Sequence, residues 1–154
     1  MQIRPYSVQD RPACLDILRE NTPEFFVRED LAELDTFLSN RPGPDFVVEE
    51  ACDIIACGVW APEAKGVAVL TWGMVRRGLH RRGIGRALLR FRLEAIRADA
   101  TVAQVHLRTV QLVQGFFVRE GFTVVEVVPN GFGLGLDRVT MALRLHTASQ
   151  GGAT

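Results

Sequence analysis

Residues 76–96 read "RRGLHRRGIGRALLRFRLEAI", and the first eleven of them hold five arginines and three glycines. Gly83 and Gly85 stand where an apolar run, "KGVAVLTWGMV", gives way to a helix-patterned one. Without side chains, glycines there permit tight backbone conformations and close approach of a ligand. The N–H groups of a first helical turn point outward, at the positive end of the helix dipole. The chemistry such a loop serves is anion binding. A pyrophosphate is the natural occupant, with Arg81, Arg82 and Arg86 able to reach further phosphate oxygens. A glycine pair before a helix is also an ordinary way to cap or pack one. Other phosphate loops are excluded by spacing: Lys65 is the only lysine, no G-x-x-x-x-G-K-[ST] exists, and G-x-G-x-x-G fails at Leu88.

Such a loop has to be held by a strand before it and a helix after it. "KGVAVLTWGMV" has the near-continuous apolar character of a strand buried on both faces. After it, Ile84, Leu88, Phe91 and Ala95 form an apolar stripe at helical spacing with Ala87 beside it, which leaves Arg86, Arg90, Arg92 and Arg97 to water. Upstream, "MQIRPYS" alternates as a short strand. A helix is expected over 12–21 behind Asp10 as N-cap, and a second through Leu31, Leu34, Phe37 and Leu38 until "NRPGPD" stops it. "DFVVEEACDIIACGVWAP" reads as two strands with a tight turn at 51–53. Downstream come the strand "AQVHLRTV", a short helix "QLVQGFFVREGF" closed by Gly121, and the strands "TVVEVVP" and "RVTMALRLH", joined by the glycine-rich hairpin loop "NGFGLGLD". The order is strand, two helices, three strands, helix, strand, helix, two strands.

With 154 residues, 47% of them hydrophobic and 23% charged, the chain suits one well-buried core. A single domain is expected over 1–147, followed by a disordered tail over 148–154. No apolar run approaches the roughly 20 residues needed to cross a bilayer, and the start "MQIRPYSVQD" has no secretory pattern. The expected location is the cytoplasm, with no membrane partner. Cys14, Cys52 and Cys57 are odd in number and lack C-x-x-C spacing, so buried free thiols are expected. His80, His106 and His146 show no metal-ligand spacing, and no metal is expected. A net charge of zero argues against a protein that coats nucleic acid. The distribution is uneven, however: twelve of the eighteen acids lie at or before Asp53, and eight arginines fall between Arg76 and Arg97.

The run "WGMVRRGLHRRGIGRALL" resembles the acetyl-CoA signature of the GCN5-related N-acetyltransferase (GNAT) superfamily, whose strand, [QR]-x-x-G-x-[GA] loop and helix hold the CoA pyrophosphate on backbone amides. "LRTVQLVQGFFVREGF" resembles the family's second landmark, a strand followed by a helix reading roughly F-Y-x-x-x-G-F, and the element order fits as well. The resemblance covers nearly the whole chain. It implies an α/β acyl-CoA N-acyltransferase fold: a mixed, mostly antiparallel sheet flanked by helices, with one parallel strand pair that splays apart. It also implies a CoA site made by Met74, Val75, His80, Arg81, Arg82, Gly83, Ile84, Gly85, Arg86, Thr109, Gln111, Phe116 and Phe117. In it the backbone at Met74 and Val75 carries the pantetheine arm, with Thr109 and Gln111 opposite.

Two departures stand out. His80 occupies the first motif position, giving His80-x-x-Gly83-x-Gly85, and Phe117 stands where many members carry the tyrosine that protonates the departing thiolate. Tyr6, the only tyrosine, lies too early in the chain to replace it. The acceptor amine must also lose a proton, which calls for a base or a water relay. "VAVLTWGMV" contains no carboxylate, so candidates come from Glu24, Glu49, Glu50, Asp53 and Asp137, each equally readable as a solvated surface charge. His106 reads as a satisfied strand histidine. The loop "NTPEFFVRED" has the position of an acceptor-binding segment, in which Glu24, Phe25 and Phe26 suit a partly apolar amine; both phenylalanines also serve as staples for the second helix. Trp60 and Trp72 read as core or pocket walls. The function implied is an acetyl-CoA dependent N-acyltransferase that moves an acetyl group to a primary amine, small or peptidic, by direct attack. The alternative is a catalytically silent acyl-CoA binding module. A homodimer is compatible with either.

Overall fold

The computed structural model describes residues 1–40 and 45–145. The elements follow in the expected order: β1 (Gln2–Pro5), α1 (Arg11–Glu20), α2 (Asp30–Asn40), β2 (Asp45–Glu50), β3 (Asp53–Ala64), β4 (Val67–Val75), α3 (Ile84–Arg97), β5 (Gln104–Thr109), α4 (Gln111–Arg119), β6 (Thr123–Gly133) and β7 (Leu136–Arg144). The strands hydrogen-bond in the order β1-β2-β3-β4-β5-β7-β6. The antiparallel pairs β2–β3 and β6–β7 are hairpins joined by short turns. At the β2–β3 turn Ala51 and Cys52 both take positive φ, 51° and 68°, as a two-residue hairpin of primed type demands. β4 and β5 run parallel, and a parallel pair requires a crossover, which α3 supplies. Their ladder joins residues 67–70 to 104–107, whereas Arg108 and Thr109 at the end of β5 pair with Thr140 and Val139 of β7.

The chain divides into two compact units. Met1–Ala61 and Thr71–Leu93 make the first. Its core has one cluster built from Cys14, Ile17, Leu18, Leu34, Leu38, Val47, Cys57 and Met74, with Trp72 and Phe26 packed against it. A second cluster joins Val48, Ile55 and Ala56 to Ile84 and Leu88 of α3. Pro62–Leu70 and the residues from 94 onward make the second unit, where Val105, Leu107, Phe122, Val139 and Met141 are almost fully buried.

Four local expectations need correction. Asp10 holds the N-cap position of α1, but its side chain does not cap that helix: it sits in helical conformation at the end of a short 3-10 turn, and its carboxylate accepts from both Arg4 guanidinium nitrogens at 2.9 Å and from Ser7 N–H at 2.8 Å. The arginine holds that carboxyl below its ordinary range. On α3 the buried stripe is rotated: Phe91 is exposed, resting edge-on against Phe46 at 5.1 Å, while Arg92 is 4% exposed. Cys52 is exposed; only Cys14 and Cys57 are buried thiols. "NGFGLGLD" is not a long loop, because β6 runs on to Gly133 and only Leu134 and Gly135 separate it from β7. A register shift between Val128 and Gly133 absorbs the extra residues as a bulge. His146 and the tail expected to be disordered lie outside the described residues.

Candidate functional site

The connection from β4 to α3 is pinned residue by residue. Val75, the last residue of β4, offers its carbonyl to two side chains: Asn21 Nδ2 donates at 3.0 Å and His80 Nε2–H at 3.0 Å. Arg76 N–H donates to Ile55 O at 2.8 Å, its Nε to Ile54 O at 2.9 Å, and its Nη1 to Glu20 at 2.6 Å. Arg77 N–H donates to the other Glu20 oxygen at 3.2 Å, and its guanidinium pairs with Glu24. Phe25 meets the His80 ring edge-on at 5.5 Å. Arg76 and Arg77 are therefore engaged with carboxylates from α1 and the segment after it, and they fix the path of the loop.

Past His80 the chain turns sharply. Arg81 and Gly83 adopt φ of 66° and 80°, and the first helical bond of α3 runs from Ala87 N–H to Gly83 O at 3.0 Å. No heavy atom comes within 4 Å of a Cβ built at Gly83, so glycine is required there for its left-handed backbone and not for space. Gly85 lies inside the first helical turn. Ile84 and Leu88, buried with Val48, Ile55 and Ala56, seat this end of the helix on the strands. Arg81 and Arg82 are exposed and have no salt bridge among the described residues, so they add positive potential to that of the helix terminus. The assembly suits a phosphate-bearing anion. Met74, Val75, His80, Arg81, Arg82, Gly83, Ile84, Gly85 and Arg86 are thus brought onto one strand end, one loop and one helical turn.

The sequence-predicted residues of the second unit form another group. Thr109 ends β5, and Val110 leads into α4 in extended conformation. The Gln111 side chain bridges to the β6–β7 hairpin, donating to Gly135 O at 2.7 Å and accepting from Asp137 N–H at 2.9 Å. Asp137 in turn accepts from Asn130 N–H at 3.0 Å. Phe117, half-buried, lies edge-on between Phe116 at 5.0 Å and Phe122 at 5.6 Å, so its ring packs in an aromatic cluster. His106 is held as a strand histidine, with Nε2 at 3.0 Å from Gln104 Oε1 and Nδ1 3.6 Å from Glu63.

The candidate bases do not converge. Glu24 stands by the loop but is paired with Arg77; Glu49 lies 3.3 Å from Arg4; Glu50 and Asp53 are exposed on either side of the β2–β3 turn. Sequence reasoning missed the residues that staple the loop, Glu20 and Asn21, because a helix C-terminus gives no sign of which distant backbone it will reach. It also missed Arg92. Its Nη1 donates to Val59 O at 3.1 Å, Nε is buried without a partner, and burial pulls the guanidinium pKa down to about 10, with the Cys57 sulfur partly opposing. The available signal was spacing: Arg92 falls four residues after Leu88 and eight after Ile84 on the buried stripe.

With this geometry in view, comparisons with known proteins are informative. The chain matches no curated protein. Among solved structures it is similar to the ribosomal-protein-S18-alanine N-acetyltransferase of Escherichia coli, at 21% identity and a TM-score of 0.79 over 96% of this chain and 95% of that one. It is similar to the ribosomal-protein-alanine N-acetyltransferase of Brucella melitensis, at 24% identity and 0.76 over 94% and 100%. An aminoglycoside 6'-N-acetyltransferase complexed with coenzyme A matches at 15% identity and 0.78 over 96% and 98%. These likenesses show the fold. The model of the acetyltransferase (GNAT) family matches residues 11–122, which include the β4–α3 loop and α4, and the chain belongs to that family.

Proposed function

We propose that the protein is an acetyl-CoA dependent N-acetyltransferase whose domain spans residues 1–147, cytoplasmic, acting on a primary amine. One observation carries the reading: the stapled loop that delivers Gly83 and Gly85 to the start of α3 in a chain of this family. The CoA pyrophosphate would lie on the amides of the first α3 turn, with Arg81, Arg82 and Arg86 about it. The pantetheine arm would run along the backbone at Met74 and Val75. Thr109, Gln111, Phe116 and Phe117 are carried to the same ligand by the family likeness.

Catalysis on this reading is direct attack. The amine lone pair forms a C–N bond to the thioester carbon while the carbonyl electrons move to oxygen; collapse expels the thiolate, and the ammonium proton leaves to water or to the sulfur. Free thiols ionise near pH ~8.5, so the thiolate needs little help to depart at neutral pH. Phe117 cannot supply a proton, and the paired carboxylates near the loop leave proton removal to solvent or to the acceptor's own setting. We place the acceptor beside Phe25 and Glu24, next to the loop. The solved structures of similar fold are named for acceptors as different as a ribosomal protein and an aminoglycoside, so both peptide N-termini and small amines belong in the test.

The experiment measures thermal stability with acetyl-CoA and then screens peptides and amines for CoA release. Stabilisation with release supports the transferase. Stabilisation without release across the panel favours the silent acyl-CoA binding module that Phe117 and the carboxylate-free β4 permit. No stabilisation overturns both.

A further inference from the structure

The first unit contains one charged side chain that packing alone does not explain. Arg92 reaches from α3 to the strands, with the face of its guanidinium over Gly58 and its Nη2 end against Gly73. A Cβ on Gly58 of β3 would stand 2.8 Å from its Cζ, and one on Gly73 of β4 would stand 2.9 Å from its Nη2. Beside Gly73, Trp72 takes φ 51°, so β4 is irregular at this point, and Trp72 O faces Cys57 Sγ at 3.7 Å. No carboxylate forms a salt bridge with Arg92 among the described residues. A leucine over two alanines would fill the same volume with no ion taken out of water, and unpaired buried charge is among the most destabilising features a core can hold.

We propose that Arg92 is a positioning residue for acyl transfer: it holds the irregular stretch of β4 at Trp72 and Gly73 and keeps an unpaired cation beneath it. This rests on the reading above, in which the arm lies along Met74 and Val75 with its thioester toward the irregular stretch. When the amine attacks, the carbonyl oxygen gains a full negative charge. A fixed, desolvated guanidinium under that strand stabilises the developing charge and needs no reorganisation, as preorganised dipoles and ions do in water-poor sites. Its Nη1 bond to Val59 O and the two glycines set its position; a lysine could supply the charge but not the flat contact.

The test uses acetyl-CoA labelled with 13C at the thioester carbonyl, bound to the wild type, Arg92→Lys and Arg92→Met, with the carbonyl stretch read by infrared difference spectroscopy. The expected result is a shift to lower frequency on binding to the wild type, most of it kept in Arg92→Lys and lost in Arg92→Met. Affinity for acetyl-CoA should stay within about threefold, and kcat on any acceptor found should fall about tenfold or more in Arg92→Met with KM for acetyl-CoA little changed. An unaltered carbonyl frequency in an Arg92→Met protein that binds acetyl-CoA overturns the proposal. If the Met variant does not fold, Gly73→Ala, which must displace the guanidinium, should produce the same loss of shift, and a full shift there is equally contrary. Failure of the wild type to bind acetyl-CoA is a different result: it defeats the functional reading itself.

Discussion

Gly58→Ala is a small change whose consequence runs through one side chain, because the atoms nearest its new methyl all belong to Arg92. The added carbon would stand 2.8 Å from Cζ of Arg92 and 3.0 Å from both Nε and Nη1, inside ordinary contact distance. The guanidinium is the far end of a long side chain, but it is buried and tied to Val59 O at 3.1 Å, so it can yield only by giving up that bond. Overpacking costs about 1–3 kcal/mol, against which alanine in a strand recovers roughly 0.5–1 kcal/mol over glycine. A net loss of about 0–2.5 kcal/mol is expected. In an Arg92→Met background the obstacle is gone, and the same substitution should be neutral or mildly stabilising. Urea unfolding of the four proteins closes the cycle, with a coupling of about 1.5 kcal/mol or more. Equal losses in both backgrounds would show that the guanidinium does not lie over Gly58. Arg92→Met alone should cost little at neutral pH, since it removes an ion whose burial pulls its pKa down to about 10. The unfolded chain holds that proton more tightly, so the burial penalty is full below about pH 10 and fades as pH rises above it.

Other expected outcomes follow from the loop, the aromatic cluster and the first strand. Gly85→Val should abolish thermal stabilisation by acetyl-CoA, while His80→Gln, whose amide can still donate to Val75 O, should leave it nearly intact; equal loss in both would mean that side chains carry the site. Phe117→Tyr should raise turnover or leave it unchanged at similar acetyl-CoA affinity if a missing acid limits the enzyme. Lower affinity with no gain in rate would mean instead that the hydroxyl is buried unpaired at about 1–3 kcal/mol. Asp10→Asn should destabilise the protein by about 1–3 kcal/mol at pH 7, since it breaks the two-pronged contact with Arg4. The folded carboxyl is lowered from 3.8, so its contribution is present above that pH and lost below it. A wild-type advantage that does not shrink as pH falls below 3.8 would contradict the assignment.

Element order was legible because hydrophobic patterning reports it directly: near-continuous apolar character along β4, a period of 3.6 along α3. The loop between them was legible as a motif, since Gly83 and Gly85 stand in it and φ of 80° at Gly83 is what glycine is for. What holds the loop was not legible. Glu20, Asn21 and Glu24 reach it from more than fifty residues away, through contacts that only the tertiary fold creates. Arg92 was misread for a different reason, because charge was taken as a guide to exposure while its spacing said otherwise. The position of Asp10 at the start of α1 was legible, but not the partner of its side chain, because N-cap preference does not foresee a competing arginine on the neighbouring strand.

The central claim is that CoA sits on the backbone at the start of α3. Titrating 15N-labelled protein with CoA and following backbone amide resonances tests it most directly. The account predicts saturable shifts that are largest at Gly83, Ile84, Gly85 and Arg86, extend to Met74 and Val75, and are absent in Gly85→Val. Saturable CoA binding that leaves those amides unmoved would contradict it.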